Sequence, residues 1–158
     1  MSDTMPAVGD PAPAFSAPTQ NGDTVTLSDY EGQWVLLYFY PKDDTPGCTK
    51  QACNLRDYFG PLQDAGVAVL GVSGDDTASH ERFAEKYDLP FPLLADPNKE
   101  ILEAYGTWGQ KNLYGRLFMG IKRTSFLIDP DGIVRHVFKR PKTGAHAEEV
   151  LKKLKELA

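Results

Sequence analysis

Two cysteines in 158 residues are too few to staple a fold. They do not make a disulfide framework, so their use must be local chemistry or local packing. Long apolar runs are missing too. The most hydrophobic stretch, Trp34–Tyr40, is far too short to cross a bilayer. Positive charge is not in excess: 17 Lys and Arg against 22 Asp and Glu leave a formal charge of −5. That balance excludes a surface built for nucleic acid or for an anionic membrane. No repeat, low-complexity tract or linker divides the chain. Met1–Asp10 carries Asp3 and Asp10 and no apolar core, so it does not read as a secretory leader, and a cytoplasmic protein is expected.

What is present is an ordinary globular composition, 41% hydrophobic and 25% charged. A chain of this length can bury about two-thirds of its unfolded surface, so residues 1–158 are expected to form one domain. Thr24–Leu27 alternates as a short strand, and Trp34–Tyr40 suits a strand buried on both faces. A helix follows from about Thr45, then the β-branched run Val67–Ser73, which together imply a parallel crossover unit. Thr77–Tyr87 reads as a helix, Leu93–Ala95 as a short strand, and Pro97–Tyr105 as a helix. Thr124–Ile128 and Ile133–Phe138 flank Asp129-Pro130-Asp131-Gly132, which predicts a hairpin. Ala145–Leu157 closes the chain with Ala147, Val150, Leu151, Leu154 and Leu157 at helical spacing. The segment Gly106–Gly120 shows no clear period and is expected to be an irregular connection. A βαβ start and a ββα finish around one mixed central sheet flanked by helices is the thioredoxin-like pattern, of class α/β.

The cysteines fall in Pro41-Lys42-Asp43-Asp44-Thr45-Pro46-Gly47-Cys48 and, five residues on, at Cys53. Thr45 is a suitable N-cap, and Pro46 fits the first helical position, where its missing N–H costs nothing. Cys48 then lies in the first turn, where unpaired N–H groups and the helix dipole favour an anion. Gly47 lets a small reactant approach the backbone. The Thr45 hydroxyl, in the same turn, can donate to the sulfur or to a bound oxygen. Spacing alone leaves Cys48 open between a reactive thiol and a small core residue, because Cys48, Ala52, Leu55, Phe59 and Leu62 also make an apolar stripe. Cys53 shares its face with Arg56, Asp57 and Gly60 and should lie nearer solvent. On an ideal helix the two Cα atoms stand roughly 8.6 Å apart. A disulfide needs less than about 7 Å, so the pair can bond only if the first turns unwind. Gly60-Pro61 should end or kink the helix.

These residues resemble a known family. Pro41…Thr45…Cys48 is similar to the P-x-x-x-T-x-x-C signature of peroxiredoxins. Tyr38-Phe39-Tyr40-Pro41-Lys42 and Thr45-Pro46-Gly47-Cys48-Thr49 resemble its peroxiredoxin Q branch, the bacterioferritin comigratory proteins. The likeness continues through Gly71-Val72-Ser73, Leu89–Leu94, Trp108-Gly109 and Arg123–Asp129. It implies that Cys48 attacks a hydroperoxide to give a sulfenic acid, with Thr45 orienting the peroxide and Arg123 supplying a cation. Pro41 would shield the pocket. Cys53 would be the resolving cysteine, and thioredoxin or another dithiol donor would reduce the Cys48–Cys53 disulfide. The resemblance further implies no cofactor, no metal and a monomer. Many relatives carry Glu where this chain has Gln51, a side chain that keeps a hydrogen bond but no charge. Two other readings are a thioredoxin-like disulfide oxidoreductase, which would use C-x-x-C, and a redox-sensing or chaperone-like module. His80, His136 and His146 are scattered, so a zinc site is not expected, and His80 reads as a helix-surface residue.

Overall fold

The computed structural model describes residues 5–157. Among the described residues, fourteen strands and α-helices follow one another, with one 3-10 turn at Leu27–Tyr30 between the second and third: β1 (Ser16–Pro18), β2 (Thr24–Thr26), β3 (Trp34–Phe39), α1 (Pro46–Asp57), α2 (Phe59–Asp64), β4 (Val67–Ser73), α3 (Thr77–Tyr87), β5 (Leu93–Ala95), α4 (Glu100–Ala104), β6 (Trp108–Leu113), β7 (Arg116–Ile121), β8 (Thr124–Ile128), β9 (Val134–Phe138) and α5 (His146–Leu157). The central sheet has the order β5-β4-β3-β8-β9. β3, β4 and β5 run parallel; β8 is antiparallel to β3, and β9 to β8. This is the expected thioredoxin-like mixed sheet.

β3 is the spine, buried from Val35 onward on both faces. Successive strand residues point to opposite sides. Leu36, Tyr38 and Tyr40 pack with Leu55 of α1, Phe83 of α3 and Val150 of α5. Val35, Leu37 and Phe39 pack on the other side with Phe15, Ile101 of α4 and Ile121. At each such position burial stabilises by about 1.5–3 kcal/mol. The pairing of Phe39 with Thr124 has the consequence that matters for function. The chain leaving β3 toward α1 and the chain entering β8 through Arg123 meet at the same end of these two central strands.

One local expectation holds and another is corrected. The Cys48 helix ends at Asp57, before Gly60, and α2 begins at Phe59. Pro61 explains the break, since its ring opposes the carbonyl four residues back, that of Asp57. The segment Gly106–Gly120 is mostly an antiparallel ribbon, not an irregular connection. β6 and β7 pair from Trp108↔Ile121 to Leu113↔Arg116 around a tip at Tyr114 and Gly115. Both tip residues have positive φ, 53° and 81°, as a two-residue hairpin turn requires. The ribbon is hard to read because it buries neither face: Leu113, Tyr114, Leu117, Phe118 and Met119 are all exposed.

His146, which carried no special signal in the sequence, is fully buried at the start of α5. Its Nε2 lies 2.8 Å from Ser125 Oγ and its Nδ1 3.0 Å from Glu149. Burial pushes its pKa below the usual 6.5; Glu149 pulls it up and Arg123 pushes it down. The folded chain therefore binds fewer protons here than the unfolded chain does. This contribution to stability is present above about pH 6.5 and is lost as pH falls toward the lower folded value. His136 shifts in the same sense, through burial and Lys153. The melting temperature should fall when the pH drops from about 7.5 to about 5.5. His146→Gln should show a smaller fall in calorimetry, and an equal fall would assign the effect elsewhere.

Candidate active site

Helix α1 starts as its sequence dictates, but the cap is used differently. Thr45 has the extended dihedrals of an N-cap and Pro46 takes the first helical position, yet the Thr45 side chain makes no capping bond. Its hydroxyl donates to the Lys42 carbonyl at 2.9 Å. Gly47 and Cys48 therefore keep backbone N–H groups that no side chain has capped, at the positive end of a three-turn helix. Cys48 is only 2% exposed, so it is a core residue of the stripe with Ala52 and Leu55. It is also in contact with a cation.

That cation is Arg123, 75 residues later. Its Nη2 lies 3.4 Å from Cys48 Sγ, and its Nη1 donates to Gln51 Oε1 at 2.7 Å. Gly47 makes the approach possible: a Cβ there would stand 3.1 Å from Nη2. Gln51 is fully buried, and its Nε2 has no partner. A neutral amide orients the guanidinium without cancelling its charge. Among the described residues no carboxylate forms a salt bridge with Arg123, and its full charge faces the sulfur. Tyr38, whose hydroxyl is also buried and unpartnered, has its pKa raised well above 10.0, by burial first and then by Cys48. It stays a neutral phenol.

Cys53 is half-buried, five residues along the same unbroken helix, and both thiols are free. The next residue, Asn54, is fixed to α5. It donates to the Gly144 carbonyl and to Glu148, and it accepts the Ala147 N–H at 2.7 Å. Pro41 lies two residues past the end of β3 and is half-buried. Cys48, Thr45, Gly47 and Arg123 are thus brought together. A surface cleft of about 1000 Å³, lined by Glu81, Asp88 and Phe91 among others, includes none of them. A reactant of a few atoms does not need such a cleft.

One cluster beside the site was not anticipated. His80 is fully buried, not a surface residue, and pairs with Asp43 at 2.6 Å. The hydroxyl of Tyr40 donates to the same carboxylate at 2.6 Å. Asp43, Asp75 and His80 offer atoms within 4.8 Å of one another. The Nδ1–Oδ2 contact leaves no room for an ion between them, and Nε2 faces the Leu94 carbonyl at 2.9 Å. The signal was weak because Asp43 is 37 residues from His80.

Comparison with known proteins gives a consistent result. The AhpC/TSA family profile matches residues 8–137. Peroxiredoxin Bcp of Escherichia coli K12 is 53% identical over 150 residues, 95% of this chain and 96% of that one. The structure of a Xylella fastidiosa PrxQ cysteine mutant superposes with a TM-score of 0.91 at 34% identity, covering 98% of each chain. A bacterioferritin comigratory protein of Xanthomonas campestris, solved in a study of its alkyl peroxide reduction activity, gives 0.85 at 35% identity. The match covers 90% of this chain and 91% of that one.

Proposed function

The chain belongs to the AhpC/TSA family and is a peroxiredoxin, a peroxidase oxidoreductase, and from that premise we propose that Cys48 is its peroxidatic cysteine and Cys53 its resolving one. The observation that supports this reading best is the 3.4 Å approach of the Arg123 guanidinium to the Cys48 sulfur at a helix N-terminus. Guanidinium and free N–H groups together favour a thiolate, which is the nucleophile. The thiolate attacks the nearer oxygen of R–O–O–H. A bond forms between sulfur and that oxygen, the O–O bond breaks, and its electron pair leaves on R–O⁻. The peroxide proton passes to R–O⁻ to give R–OH, and the sulfur, left as a sulfenate, takes a proton from water to become the sulfenic acid. Arg123 and the Gly47 and Cys48 N–H groups stabilise the charge as it spreads from sulfur to the leaving oxygen. The Thr45 hydroxyl proton is committed to Lys42, so its oxygen is left to accept the peroxide O–H. Pro41 and Gly47 shape the pocket around these groups.

The Cys53 thiolate then attacks the sulfenic sulfur; the S–S bond forms, the S–O bond breaks, and the hydroxide that leaves takes a proton from solvent to become water. The wound helix holds the two too far apart, so α1 must open between them. A dithiol donor, thioredoxin in this reading, reduces the bond and resets the helix. Hydrogen peroxide and alkyl hydroperoxides fit a site whose reactive parts take only the O–O group.

The test is NADPH consumption with thioredoxin and thioredoxin reductase, driven by peroxide. The native chain is expected to cycle. Cys53→Ser should consume one equivalent of peroxide per chain and then stop. Full-rate cycling by Cys53→Ser on thioredoxin alone would remove Cys53 from the mechanism.

A further inference from the structure

The loop that leads into α1 is held by polar contacts that the peroxidase chemistry does not use. Asp43 is buried and surrounded by donors. Its carboxylate meets His80 Nδ1 at 2.6 Å and accepts the hydroxyls of Tyr40 at 2.6 Å and Ser79 at 2.8 Å. Its own N–H donates to Asp75 at 2.8 Å, and Asp75 accepts the Ser73 hydroxyl. The Leu94 carbonyl can only accept, so His80 Nε2 carries a proton. Asp43 and Nδ1 then share one more. Asp44, held at φ 54°, accepts Lys86 at 2.9 Å and the Tyr87 hydroxyl at 2.8 Å. Two consecutive acids of the loop are thus bonded to the first and last turns of α3.

Downstream, Asn54 is fixed to the start of α5. The two thiols lie between these anchors. Opening the helix so that Cys53 can reach Cys48 need involve only the residues from Thr45 to Cys53. Peroxide attack needs that segment wound, with Cys48 against Arg123; disulfide closure needs it unwound.

We propose that His80, acting through Asp43, is a positioning residue that keeps the first turn of α1 wound and so sets the balance between peroxide attack and disulfide closure. The inference rests on the reading of Cys48 as nucleophile and Cys53 as resolving thiol. Without His80 the Asp43 carboxylate, whose side chain is 4% exposed, loses its charged partner while still desolvated. The loop relieves this by moving toward water, and Thr45, two residues on, goes with it. That withdraws the cap residue and frays the turn that holds Cys48.

The experiment is rapid mixing with hydrogen peroxide, separating the peroxide-dependent phase from the peroxide-independent disulfide phase. His80→Leu should slow the first phase by about tenfold or more and leave the second unchanged or faster. Amide exchange should quicken across residues 49–53 and not in α5. His80→Asn, whose amide nitrogen can stand where Nδ1 stands, should recover part of the first phase. The double change Asp43→Ala with His80→Leu buries no charge and should fold even if the single variant does not; it lacks the clamp and should show the same split. Equal slowing of both phases, or no change in either, would overturn the proposal. Absence of a peroxide-independent phase in the native chain would remove the underlying disulfide reading instead.

Discussion

Cys48→Ser is expected to keep the fold and lose peroxide turnover by at least about three orders of magnitude. Serine is close in size to cysteine, so Ala52 and Leu55 keep their neighbour, and Arg123 lies within reach of the new hydroxyl. What goes is the soft anionic nucleophile. A serine hydroxyl is not ionised at neutral pH even beside a guanidinium, and oxygen has no stable product analogous to a sulfenic acid. Cys53 cannot substitute. It lies past the first turn, away from the free N–H groups, and its side chain points about 140° around the helix from Cys48. The measurement is direct loss of peroxide with excess dithiol, beside a thermal melt. Residual turnover above about a hundredth of the native rate would place the nucleophile elsewhere.

The second large effect is at the cation. Arg123→Met should lower kcat/KM for peroxide by about a hundredfold, the usual loss when one donor to a developing charge is removed. Methionine fills the space of the aliphatic stem, so packing changes little. Two bonds disappear: the contact to Cys48 Sγ and the one that satisfies Gln51 Oε1. Arg123→Lys should recover only part of the loss. One ammonium cannot span both the sulfur and the amide, whereas the planar guanidinium reaches them with Nη2 and Nη1 together. Stopped-flow rates over a range of peroxide concentrations give the comparison. A loss of less than about threefold in Arg123→Met would leave the helix N-terminus as the main source of activation.

Much of the fold was legible because its signals are local. Trp34–Tyr40 and Val67–Ser73 read as buried strands from their apolar runs, and Trp34–Phe39 and Val67–Ser73 form the central parallel pair. The Asp129–Gly132 turn read correctly, with Asp129 accepting the N–H groups of Asp131 and Ile133. Thr45, Gly47 and Cys48 were legible as a unit because they are contiguous. Arg123 was not readable from spacing, since only the β3–β8 pairing carries it across 75 residues, and it entered through family resemblance. His80 was misread for the same reason. Its helical neighbours Ser79, Glu81 and Arg82 are polar, and nothing local shows that Asp43 waits beneath it. The β6–β7 ribbon failed differently: a hairpin with two exposed faces carries no hydrophobic alternation to read.

That ribbon also divides the chain by how freely its sequence can drift. At its base Ile121 is buried and Trp108 packs against the same cluster, so both answer to the core. From Leu113 to Met119 the side chains face outward, with Tyr114 fully exposed at the turn. Residues there are bound by little beyond the hairpin's own pairing and the left-handed turn. Insertions and substitutions at this tip should be tolerated, while three residues past Ile121, from Thr124 to Ile128, every position of β8 is buried and admits almost none.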